Sequence, residues 1–313
     1  MPTLRTTSNN FVGVCPDVLT PLQPDLRIDL PKLSSHIRNL AVKGVAHITL
    51  FGYAGEGASF SAQEKLDALT HVLKSGVEGA DILLGVHSSS FVDVVGLIQK
   101  AHALGLRRFL LSAPLYYQPL SHRALLDFFE QVITQVNLPD WQLYVHQLGG
   151  AAHADVPEAV LSELLRAHPQ VLAGVVDQDP HASHTLDIMR SFSAQLTVTS
   201  CHEPNLQLLK PTVAVSALAN LMPGVVKHVL ANDMPAQANQ VNGMKVRKPD
   251  DRIMELMALL GDQPPIAGLK LLLSMHYRLA DWELVRPPQA KVNPQAREAL
   301  MKGFKNFNLL PTE

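Results

Sequence analysis

The sequence is poor in cysteine: Cys15 and Cys201, the only two in 313 residues, stand far apart and in no metal-type spacing. A disulfide framework is thereby excluded, and a reducing, cytoplasmic setting is expected. Excess charge of either sign is also lacking, since 26 Lys+Arg face 28 Asp+Glu for a formal net charge of -2. Neither nucleic acid nor an anionic membrane surface is therefore an expected partner. No run reaches the roughly 18 apolar residues of a membrane span, and the opening MPTLRTTSNN has no apolar h-region, so no membrane or secretory segment is expected. With 47% hydrophobic residues against 17% charged, the chain has ample material for a packed core.

What the sequence does have is alternation. Eight short apolar runs, FVGVCPDVL, AHITLFG, DILLGV, RRFLLSA, WQLYVHQ, VLAGVVD, QLTVTS and TVAVSAL, are separated by segments of helical period. Leu125, Phe128, Phe129, Val132 and Ile133 form one such helical face, and Leu66, Leu69 and Leu73 another, the latter preceded by Ser61 and Glu64 in capping-box spacing. Regular strand–helix units predict an α/β fold, a (β/α)8 TIM barrel over residues 1–234, rather than an open doubly wound sheet. Residues 235–313 read as three further helices, a C-terminal helical extension ending in the segment from Pro294 to Asn308.

In such a barrel the chemistry lies at the C-terminal ends of the strands. Those ends carry Tyr53 with Gly55, Glu56 and Gly57; His87; Pro114, Tyr116 and Tyr117; Tyr144 and His146 on one strand face; Asp177 and Asp179; and Cys201, His202 and Glu203. Fourteen histidines in the chain make this mouth rich in imidazole as well as in phenol and carboxylate.

The order of these segments resembles the dihydrodipicolinate synthase / N-acetylneuraminate lyase family of (β/α)8 class I aldolases and lyases. FVGVCPDVLTPL is similar to the family's opening strand with its Thr-Pro ending, LFGYAGEGASFSAQEK to its Gly-Thr-Thr-Gly-Glu loop and the following helix, APLYYQP to its Pro-Tyr-Tyr segment and LYVHQ to its Tyr-Asn segment. SALANLMP, IAGLKLLL and VRPP resemble the eighth strand and closing helices. The resemblance implies a homodimer or homotetramer acting on a small-molecule substrate of the 2-oxo acid kind, with no cofactor. It further implies that Tyr144 relays protons, that Tyr116 and Tyr117 match the tyrosine pair at the dimer contact, and that Tyr53, Ala54 and Gly55 line the carboxylate site. Tyr144, Tyr117 and His146 are the catalytic candidates, with Tyr53, Ala54, Gly55, Tyr116 and Val176 as substrate-binding candidates.

Departures from the pattern point to altered chemistry. Where the family's sixth strand ends in Gly-Ile-Lys-Asp, this chain reads Gly174, Val175, Val176, Asp177, so a valine stands in place of the imine-forming lysine. No other lysine is expected at a strand's C-terminal end; Lys65 falls in a helical segment. Tyr53 and Ala54 replace the threonine pair, and Gly149 falls where many synthases place an arginine. Two readings follow: a lyase or aldolase-like enzyme that works without the Schiff base, or a non-catalytic descendant that binds a small molecule or serves as a structural oligomer. Plainer roles stand beside the chemical ones. Tyr144 also fits a core aromatic, Tyr116 and Tyr117 interface aromatics, and Glu56 an acceptor of backbone N–H groups. A metal held by His87, His146, His202, Glu203 and Asp177 would restore an electron sink, but the five have no local ligand spacing, and none is expected.

Overall fold

A computed structural model describes residues 11–149, 155–231 and 249–307. Each expected apolar run holds a strand: β1 Gly13–Pro16, β2 Ile48–Leu50, β3 Ile82–Gly85, β4 Arg108–Ser112, β5 Gln142–Gln147, β6 Leu172–Asp177, β7 Thr197–Ser200 and β8 Val213–Ser216. Helices α1 (Leu30–Val42), α2 (Ala62–Lys74), α3 (Phe91–Ala103), α4 (His122–Val136), α5 (Glu158–Ala167), α6 (Ala182–Phe192), α7 (Leu206–Leu209) and α8 (Pro223–Ala231) alternate with them. Three more follow, α9 (Pro249–Leu260), α10 (Pro265–Tyr277) and α11 (Pro294–Phe307); the expected boundary at residue 235 lies outside the described residues.

All strand pairs are parallel, in the order β2-β3-β4-β5-β6-β7 with β1 paired to β8. The two groups meet at two seams. At one, Val18 N–H donates to Thr49 O at 2.9 Å beside the single bridge between Asp17 and Thr49; at the other, the Thr199 hydroxyl of β7 donates to Val213 O of β8. The result is a curled parallel sheet resembling a TIM barrel. No single helix among the described residues is long and apolar enough to cross a membrane.

Local sequence explains the elements. Ser61 and Glu64 form the expected capping box at the start of α2, and Ser121 caps α4, which ends on Asn137 in the left-handed region. Alternate strand residues turn inward: Cys15, Leu83, Leu110, Tyr144, Val176, Val213 and Val215 form one buried cluster inside the sheet, with Phe11 below. Outward-facing Ile48, Leu84, Leu111, Val145 and Val175 pack against the helical faces of Leu69, Ile98, Phe129 and Val160. Helices α8 to α11 share a separate apolar cluster that includes Val14 and Ala214 of the β1–β8 pair.

Candidate active site

A cavity of about 600 Å³ opens at the C-terminal ends of the strands, and its walls include Tyr53, His87, Ser112, His146, Gln178 and Asp179. His87 stands two residues beyond β3 and His146 lies near the end of β5, their ring centroids 5.2 Å apart. The Ser112 backbone N–H donates to His87 Nδ1 at 3.2 Å. That bond assigns the tautomer: in a neutral ring the proton must lie on Nε2. His87 Nε2 is buried and finds no acceptor among the described residues, and the His146 ring has only the Gln178 side chain beside it. Burial holds the His87 imidazole well below the usual histidine range, reinforced by His146 and Lys65 nearby. Burial also pushes His146 down to about 4, with the adjacent Gln178 opposing the shift. Two neutral imidazoles with unused hydrogen-bonding capacity therefore face the cavity, an arrangement that costs free energy until an acceptor or donor arrives.

Tyr144 lies on the interior face of β5, below His146. It pairs with Gly174, whereas Val176 pairs with His146. Tyr144 thus sits two residues, or about 6.6 Å at the strand rise, below the level of Val176. Its ring meets Phe11 edge-on at 5.3 Å, its hydroxyl bonds to Arg108, the first residue of β4, and to Thr197, the first of β7, and only 2% of it is exposed. A Cβ at Gly174 would lie 2.6 Å from the Tyr144 ring, so the glycine makes the room that the phenol fills. It is buried in the interior cluster and is not among the residues lining the cavity, and His146 occupies the level opposite Val176. A register irregularity lies just below this level, where β6 advances from Leu172 to Gly174 while β5 advances from Leu143 to Tyr144.

The other candidates divide. Tyr53 lines the cavity, as do Glu56, Gly57 and Gly149, while Ala54 is buried and borders a neighbouring cavity. Gly55 O accepts from Thr20 Oγ1 at 2.7 Å, tying the loop to the segment after β1. Tyr116 and Tyr117 stack edge-to-face at 5.2 Å and are 82% and 64% exposed, outside the cavity wall. The histidine–carboxylate set does not converge. Asp177 alternates with Val176 and faces outward, accepting from Thr185 Oγ1 at 2.6 Å and pairing with His184 Nδ1 at 3.0 Å. Glu203 accepts from Ser216 Oγ and Leu218 N, both at 2.9 Å. Among the described residues no three His, Cys, Asp or Glu side chains are grouped to hold a metal ion. Glu56 is a structural acceptor, ion-paired with buried Lys270 and receiving the Arg286 N–H at 2.9 Å.

Two groups at the mouth escaped the sequence reading. Lys65, in α2, sends its amine to Gly85 O, the end of β3, at 3.2 Å, and burial lowers it to about 8. A lysine is therefore present at a strand's C-terminal end after all, delivered by a helix. Its position on the stripe of Leu66, Leu69 and Val72 was the available signal. Asp17, just past β1, is buried and raised to about 7, chiefly by burial; a carboxylate within the apolar run VCPDVL was its signal.

Residues 10–307 match the Dihydrodipicolinate synthetase family. The chain belongs to that family. Its relatives include the 2-dehydro-3-deoxy-phosphogluconate/2-dehydro-3-deoxy-6-phosphogalactonate aldolase of Saccharolobus solfataricus, 24% identical over 292 residues, 91% of this chain and 92% of that one. The 4-hydroxy-tetrahydrodipicolinate synthase of Chlamydia muridarum is 28% identical over 290 residues, covering 90% and 91%. Among solved structures, dihydrodipicolinate synthase from Agrobacterium tumefaciens superposes with a TM-score of 0.83 at 24% identity, covering 95% of this chain and 100% of that one. Proteus mirabilis N-acetylneuraminate lyase gives 0.79 at 15% identity, covering 96% and 99%. Relatives in the Dihydrodipicolinate synthetase family are thus named as lyases, aldolases and synthases, and the shared architecture places the cavity described above at the strand ends of their common fold.

Proposed function

We propose that this family member is a lyase- or aldolase-type enzyme acting on a small carbonyl substrate held at the mouth, without a Schiff base at the end of β6. The observation that carries the reading is the His87 tautomer: a buried Nε2–H with no acceptor, next to a second neutral imidazole. A carbonyl oxygen supplies the missing acceptor, and the negative charge that grows on it during enolisation or carbon–carbon cleavage strengthens the bond. Val176, fully buried opposite His146, offers no amine. His146 is the acid–base candidate beside it. The strand seams favour a closed (β/α)8 barrel carrying residues 235–313 as a C-terminal extension, and the composition favours a cytoplasmic protein with no cofactor.

The test is deuterium exchange at the α-carbon of hydroxyacetone, followed by proton NMR. Acceleration by the wild type is expected, with a loss of about 100-fold or more in His87→Leu, the usual cost of removing one oxyanion donor. No acceleration by the wild type would leave the non-catalytic reading, which the burial of Val176 favours. Incubation with pyruvate and borohydride is expected to give no covalent adduct by intact mass; a specific adduct on any lysine, Lys65 included, would overturn the imine-free reading.

The exposed pair Tyr116 and Tyr117 supports a homodimer or homotetramer, because two large aromatics left in solvent are unusual except at contacts. Light scattering at micromolar concentration should show such an assembly, and Tyr116→Glu with Tyr117→Glu should shift it toward monomer. A monomeric wild type would count against the interface.

A further inference from the structure

A second cavity, of about 220 Å³, lies beside the mouth where β7, β8 and β1 come together. Val215, Leu218, Ile266 and Leu269 give it apolar walls, and no lysine or arginine lines it among the described residues. Asp17 and Glu203 both border it and are 5% and 6% exposed. Asp17 Oδ2 accepts the Ala54 N–H at 2.7 Å, with further backbone N–H contacts from Gly55 and Gly52. The approach is so close that a Cβ at Gly52 would lie 2.4 Å from Asp17 Oδ1, which is why that position is glycine. Converging backbone N–H groups of this kind form a nest for an anion. Here the anion belongs to the chain itself. Asp17 Oδ1 is buried and has no partner among the described residues, so the carboxyl keeps an unused acceptor.

We propose that this cavity binds a small alkylammonium group, its N–H donors taken by Asp17 Oδ1 and the Glu203 carboxyl, and that Asp17 excludes ligand carboxylates by filling the nest they would occupy. The inference does not rest on the carbonyl chemistry at His87. A carboxylate ligand would meet two buried carboxyls and N–H groups already engaged, whereas an ammonium offsets the burial that raises Asp17 to about 7 and also raises Glu203. No lysine or arginine among the described residues lining the cavity supplies that charge. Cys201 and Glu203 follow β7, His202 lies between them, Cys15 precedes Asp17 on its own strand and Tyr53 extends from the loop after β2. Burial pushes Cys15 up to about 12 and Cys201 well above its usual range, so both thiols stay neutral.

Propylammonium and propionate, equal in size and opposite in charge, are the probes, titrated against the full chain at pH 7.5 by ligand-observed NMR. Wild type should bind propylammonium at least about tenfold more tightly than propionate, since placing like charges together is the costlier contact. Asp17→Asn keeps the shape and should lower propylammonium affinity about tenfold without improving propionate; Asp17→Ala empties the nest and should reverse the preference. Propionate binding the wild type as well as propylammonium does, or Asp17→Asn keeping wild-type propylammonium affinity, would overturn the proposal. The wild-type comparison needs no variant to fold, and the hydroxyacetone exchange assay reports separately on His87.

Discussion

Lys270→Met is expected to lower the free energy of unfolding by about 3–5 kcal/mol, the usual cost of leaving one partner of a buried ion pair alone. Both side chains of the Lys270–Glu56 pair are fully buried. Lys270 also donates to Leu284 O at 2.8 Å, so its loss strands a carbonyl as well as a carboxylate. Methionine keeps most of the volume and adds no donor, which isolates the electrostatic part. The double variant Lys270→Met with Glu56→Gln should cost less than Lys270→Met alone, because the uncompensated charge is gone. Urea midpoints at constant slope measure both. A change below about 1 kcal/mol for Lys270→Met would show that water reaches the pair and that burial overstates its isolation. The pair joins α10 to the loop carrying Tyr53, so the single variant should also loosen the mouth.

The second large effect is acid sensitivity. His36 and His146 are pushed down to about 4 by burial, and His87 lies well below its usual value. Between roughly pH 4 and the ordinary histidine value near 6.5, the unfolded chain takes up protons on these rings and the native state does not. Stability is therefore fully present above about pH 6.5 and is lost as pH falls, by up to about 1.4 kcal/mol per pH unit for each ring. Asp17, raised to about 7, has the opposite sign: between about 4 and 7 the native state holds the extra proton, so its contribution grows on acidification. Glu203, also raised, acts in the same direction, as does His184, raised beside Asp177 and Asp179. Three strongly depressed rings outweigh these groups, and a net loss of about 1–2 kcal/mol per unit below pH 6.5 is expected. Asp17→Asn removes one opposing contribution and should make the slope steeper. Urea midpoints at pH 7, 6 and 5 decide the matter; stability rising over that interval would mean the imidazoles are less buried than their surroundings indicate.

The strands were legible because a parallel sheet covered on both faces demands short segments rich in apolar and β-branched residues, and the eight segments are of that kind. Ser61 and Glu64 announced the start of α2 by spacing alone, and the helices after β8 announced themselves by period. The mouth was legible only in outline. Side chains that arrive from a neighbouring helix, as Lys65 does, carry no mark of their destination in a strand-by-strand reading. Asp17 shows in the sequence only as a carboxylate within an apolar run, because its role depends on three N–H groups from a loop more than thirty residues away in sequence. Tyr144 was singled out by the resemblance of LYVHQ to a family segment, and which of Tyr144 and His146 is level with Val176 is set by the ladder between β5 and β6, which the strand's own sequence does not carry.

That ladder has a consequence for how chemistry is inherited on this scaffold. Where β6 gains a residue against β5, the extra residue changes which β6 positions face the interior of the curled sheet, so that Gly174 and Val176 stand opposite Tyr144 and His146. A tyrosine and a histidine two positions apart thus stand on successive storeys of one face, and the histidine is the one level with Val176. Matching letters along the strand then preserves the address and loses the occupant. For chains built this way, the pairing partner across the ladder is the safer coordinate for carrying a functional residue from one relative to another.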